Sequence, residues 1–74
     1  MVKDIIPNGS NKTFWIASSL AAELKTDQSV SHSGVCLTVE EISGHSHRVT
    51  AIDETLQKTD LSRWVPGQQV NLER

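Results

Sequence analysis

One thiol and three imidazoles carry most of the reactive chemistry in this sequence: Cys36, with His32, His45 and His47, all inside the stretch HSGVCLTVEEISGHSH. A thiolate at Cys36 could serve as a nucleophile or a metal ligand if a positive charge or a histidine lowered its pKa. No neighbouring residue type fixes a base beside it, and free cysteine usually behaves as a small buried hydrophobe. His45 and His47, two apart, would share a strand face and hold a metal if a third ligand converged. No cysteine pair or carboxylate falls at metal-site spacing, and both histidines lie in a predicted turn, so solvated side chains and no metal are expected. His32 is placed either to bond a ligand or, more usually, to satisfy a loop carbonyl. The paired small polar residues Cys36 and Thr38 are more informative. Opposite an apolar face, such groups can donate and accept toward a flat heterocycle; the other reading is a partly exposed sheet surface.

That chemistry needs a strand to present it, and the alternation supplies one. Val35, Leu37 and Val39 point one way while Cys36, Thr38 and Glu40 point the other. Upstream, VKDII and KTFWIA read as a hairpin joined by PNGSN, whose Asn8-Gly9 pair suits positive φ. SSLAAELK changes to helical spacing for one or two turns, with Ser18 or Ser19 as cap and Glu23 in reach. QSVSHSG resumes an extended strand ending at Gly34, ISGHSH turns, and RVTAI returns. DETLQKT then predicts a short helix, with Asp53 able to cap it and Glu54 favourable in its first turn. VPGQQVNLER closes with a Pro66-Gly67 type II turn signal and a strand in which Val70 and Leu72 share a face. Several short strands with regular turn signals predict an all-β fold, a small barrel with one or two short helices.

Composition bounds what such a barrel can be. With 74 residues, 36% hydrophobic and 4% aromatic, the chain makes one small domain over residues 1–74 and no second core layer. A single cysteine excludes an intrachain disulfide, which leaves oligomerisation or a partner segment as support and points to a reducing compartment. A net charge of -2 with interspersed signs provides no basic stripe for a nucleic-acid backbone. MVKDII has no apolar leader core, and FWIASSLAA is interrupted by Ser18 and Ser19 short of a membrane span, so a cytoplasmic protein is expected. The sequons at Asn8 and Asn11 then read as turn residues.

In order, SVSHSGVCLTV, AIDETLQKTDL and PGQQVNLER resemble the N-terminal domain of the alpha-type riboflavin synthase chain, the lumazine-binding barrel also used by lumazine proteins. The resemblance spans about Asp27 to Arg74. It implies a six-stranded Greek-key barrel, duplicated in the full enzyme and assembled as a trimer, a dimer being open to an isolated domain. The implied activity is transfer of a four-carbon unit between two dimethylribityllumazine molecules, giving riboflavin and a ribitylamino-pyrimidine with no added cofactor; the alternative is a non-catalytic lumazine- or riboflavin-binding module. The implied ligand contacts are Cys36, Leu37 and Thr38 on one strand, and Thr50, Ala51, Ile52, Asp53, Glu54 and Thr55 at the strand-to-helix corner. Ser29 and Cys36 are the implied candidates nearest the reaction. Glu54 is the expected acceptor for ribityl hydroxyls. Relatives open with an M-F-x-G-I-V-E strand and continue into a second barrel, so the barrel here is expected to lack its first strand and its partner half. HSGVC and TDL stand where relatives read H-N-G-V-C and T-N-L, which puts Ser33 and Asp60 into the loop hydrogen bonding.

Overall fold

The computed structural model describes every residue from Met1 to Arg74. Period-2 burial decides the strands: along Asn11–Ala17, Phe14 and Ile16 are buried while their neighbours are only partly covered. Seven strands result, β1 (Val2–Asn8), β2 (Asn11–Ala17), β3 (Ser29–His32), β4 (Val35–Thr38), β5 (Glu41–Ser43), β6 (Ser46–Ala51) and β7 (Leu72–Glu73), with one α-helix, α1 (Asp53–Lys58). Two 3₁₀ segments, Ser19–Glu23 and Asp60–Arg63, complete the set. The all-β expectation holds. The strand count is seven rather than six, and the strands form two antiparallel sheets, ordered β1-β2-β6-β5 and β4-β3-β7, with no ladder closing them into a full barrel.

Three tight hairpins build both sheets. β1–β2, β3–β4 and β5–β6 each pair across a two-residue loop, 9–10, 33–34 and 44–45 respectively. At the first loop the sequence expectation shifts by one residue. Asn8 pairs with Asn11 inside the ladder, and Gly9 alone takes the positive φ of 64°. At the second loop Ser33 and Gly34 have φ of 51° and 90°, the type I′ pattern that matches strand twist and that asparagine or glycine fills with least strain. Pro66-Gly67 makes the expected turn, with Gly67 at φ 94° and the Gln68 amide donating to the Val65 carbonyl.

One cluster of Val2, Phe14, Ile16, Leu37, Val49, Ala51, Leu56, Leu61 and Trp64 fills the main core. Phe14 and Trp64 meet edge to face, with centroids 5.2 Å apart. A second cluster, Leu24, Val30 and Val39, packs with Leu20, Ile42 and Leu72. The helical segments are shorter and differently capped than the sequence predicts. SSLAAELK forms only a 3₁₀ turn, Ser18 precedes it without a capping bond, and Glu23 instead reaches Arg74. Asp53 lies inside α1, not at its cap. Its backbone amide donates to Asn11 Oδ1 at 3.0 Å and its carboxylate accepts from Gln57, so a residue 42 positions away caps the helix through tertiary structure.

Candidate functional site

Ladder alternation determines what β4 offers. The Val39 amide donates to the Gln28 carbonyl, which makes Val39 a hydrogen-bonded position; by period 2, Leu37 and Val35 also direct their amide and carbonyl toward β3. Cys36 and Thr38 therefore turn theirs the other way, to the edge of β4 that no strand covers. Their side chains are exposed while Leu37 and Val39 are buried, so Cys36 is a surface thiol and not a buried hydrophobe. Across the hairpin, Ser29 stands opposite Thr38 and Ser31 opposite Cys36. These are the non-hydrogen-bonded pairs, where side chains approach closest. The sequence-predicted Ser29, Cys36 and Thr38 thus share one small polar face.

The strand-to-helix corner is less uniform. Leu37 and Ala51 lie in the same core cluster, and β4 contacts β6. Thr50 points to the outer face of the first sheet. Its hydroxyl lies 2.9 Å from Thr13 Oγ1 and donates to Glu40 Oε1 at 2.9 Å. Arg48 also pairs with Glu40 and Glu41, and its guanidinium sits 5.9 Å from the Trp15 ring centroid. Ile52 is 55% exposed. Glu54 is exposed and holds Lys58 at 2.8 Å, a solvent-screened pair that leaves its carboxylate available at little cost. The Thr55 carbonyl accepts from the Thr59 hydroxyl, which in turn accepts from the Leu61 amide.

No concavity gathers all these groups. A hollow of about 380 Å³ between the β3–β4 turn and the helical segments is lined by Ser33, Val35, Lys58, Thr59, Asp60, Leu61, Trp64 and Gln68. Ser33 and Asp60, which the resemblance implies for the loop hydrogen bonding, both border it. Ser33 ties the loop to the segment before β7 through its own atoms: its amide donates to the Asn71 carbonyl and its hydroxyl accepts the Asn71 amide. Thr50 faces a separate hollow on the first sheet, and Asp53 another beside α1. What β4 and the corner share is a common core wall, Leu37 with Ala51 and Leu56.

The histidines correct the sequence reading. His45 is exposed in its turn, but His47 is fully buried on β6, and so is His32 on β3. Their Nε2 atoms lie 2.8 Å apart, and His32 Nδ1 is 2.9 Å from the Val30 carbonyl. Burial lowers both pKa values, His47 to about 4, with the His32 and N-terminal charges adding to its shift; the Val30 carbonyl partly offsets the effect at His32. The signal was present in the sequence, since His47 keeps period 2 with the buried Val49 and Ala51. No group of three or more His, Cys, Asp or Glu side chains gathers in a metal-ligating arrangement. No helix is long and apolar enough to cross a membrane.

Comparison with known proteins adds the family context. The lumazine binding domain family matches residues 1–74. Riboflavin synthase of Saccharomyces cerevisiae is 36% identical over 66 residues, covering 89% of this chain and 28% of the relative. Riboflavin synthase of Escherichia coli is 37% identical over 68 residues, 92% of this chain and 32% of the relative. That of Photobacterium phosphoreum is 36% identical over 53 residues, 72% of this chain and 24% of the relative. The chain therefore spans about a third or less of the length of these relatives.

Proposed function

Because the chain belongs to the lumazine-binding domain family, we propose that it acts in riboflavin biosynthesis as one ligand-holding unit of a riboflavin synthase, in a reducing cytoplasmic setting. Its ligand is dimethylribityllumazine, or riboflavin as product. The ring lies along the uncovered edge of β4, where the Cys36 and Thr38 amides and carbonyls read its heteroatoms. The ribityl chain runs toward the corner at Thr50–Thr55, with Glu54 accepting from its hydroxyls. Catalysis rests on orientation, two ligands being held face to face by two such units, Ser29 and Cys36 lying nearest the reacting ring. The observation that supports this reading is the free β4 edge, a row of backbone donors and acceptors beside small side chains. Titration of riboflavin fluorescence against the folded protein tests it. A saturable change is expected, and no change at millimolar ligand would sink the reading.

A second reading, a binding module without turnover, is favoured by the surroundings of Cys36: no charged side chain is paired across the strand from it, and the two buried histidines are occupied with each other. In both readings Cys36 touches the ring without bonding to it covalently. Cys36→Ser is expected to change riboflavin affinity by less than about threefold, whereas Thr38→Val removes a polar contact worth roughly 1 kcal/mol, about fivefold in Kd. Mass spectrometry after incubation with ligand checks this assignment, because a covalent adduct at Cys36 would overturn it.

A further inference from the structure

The two sheets meet at a single buried polar contact, His32 Nε2 to His47 Nε2, between β3 of one sheet and β6 of the other. Its protons can be assigned from the partners. The Val30 carbonyl only accepts, so His32 Nδ1 carries a hydrogen and its Nε2 presents a lone pair. His47 must then donate through Nε2, which leaves its Nδ1 bare. That Nδ1 is one of two buried side-chain atoms with no partner; the other is Ser18 Oγ, a hydroxyl able to donate. Ser18 extends β2 one step, its amide donating to the His45 carbonyl, and Ile16 stands opposite His47. By alternation the Ser18 side chain falls on the face of Ile16, diagonal to His47.

We propose that the His32–His47 contact is a proton-ordered clasp between the two sheets, closed only while both imidazoles are neutral and opened by acid. A proton added to His32 Nε2 sets two N–H groups against each other, and one added at His47 Nδ1 leaves a buried cation. Neither charge has a counter-ion in place. Ile16 and Ile42 flank His47 in the ladder, and Val35 and Leu72 flank His32. The 3₁₀ segment before β3 buries only Ala21, and its Glu23 is turned to Arg74 outside. The one charge acting on the pair is positive: the Met1 ammonium, seated on the Ala17 carbonyl, which also opposes protonation of His47.

The sign follows from linkage. Both folded pKa values lie below the ordinary 6.5, so the unfolded chain binds more protons, and the contribution of the clasp is complete above about pH 6.5 and is lost as pH falls toward 4. Urea unfolding at pH 7.5 and pH 5.0 tests it. The folding constant is expected to fall at least tenfold between these conditions, and His47→Val to remove about tenfold of that fall. An equal fall in protein and variant would overturn the proposal. If the variant does not fold, imidazole ¹⁵N shifts of the unmodified protein decide: Nδ1–H on His32 with Nε2–H on His47 at pH 7 supports the clasp, and any other proton arrangement or a charged ring refutes it.

Discussion

Phe14→Ala is expected to remove a large share of the chain's folding stability, about 3–5 kcal/mol. Phe14 is fully buried, stacks edge-on against Trp64 and faces Val49 across the β2–β6 ladder. Truncating such a ring costs about 3–5 kcal/mol, because the transfer energy is lost and the neighbours cannot close the void. A domain of 74 residues has roughly 4–11 kcal/mol in total, from about 0.05–0.15 kcal/mol per residue. Phe14→Leu keeps most of the volume and is expected to cost less than about 2 kcal/mol. Circular dichroism with urea titration of both variants checks the pair; a folded Phe14→Ala with an unchanged midpoint would show that the main core does not depend on this ring.

The second large effect concerns turnover. On the proposed function, in which two dimethylribityllumazine molecules are held face to face, a solitary chain would offer one site and lack the proximity that makes the step feasible. A monomeric preparation is expected to form no measurable riboflavin, and activity is expected to rise with self-association. The outer edges of β1 and β7 provide routes to pairing that leave the β4 edge to the ligand, since free amides and carbonyls there invite another strand. Sedimentation and a riboflavin-formation assay over one concentration range measure both quantities together. A strictly monomeric species that converts dimethylribityllumazine would refute the shared-site mechanism.

Local chemistry explains which features were readable in the sequence. The inward and outward faces of Val35–Glu40 follow from strict alternation, and Pro66-Gly67 from the φ demands of its turn. Both are decided within a few residues. The cap of α1 is not legible locally because its bond comes from Asn11, which only the folded hairpin brings near. The polar sequence neighbours of His47 point to a turn, whereas its burial is set by β2 on one side and β5 on the other. The candidate site was legible in part for the same reason. Ser29, Cys36 and Thr38 belong to one hairpin and come together, while Thr50 and Glu54 take partners elsewhere on the surface. The outward turn of Thr50 follows from the parity of β6, where Val49 and Ala51 take the inward places.

The three two-residue hairpins also give the fold a division of time. Each forms through contacts only a few residues apart, a process of about 1–10 μs for an isolated hairpin. The pairings that turn hairpins into sheets are distant: Lys12 with Ala51, and His32 with Leu72. Each must close a long chain segment before any contact rewards it. Assembly kinetics are therefore governed by docking between hairpins, and the β3–β4 unit that carries Cys36 and Thr38 can reach its native shape locally, ahead of the sheet partners that hold it in place.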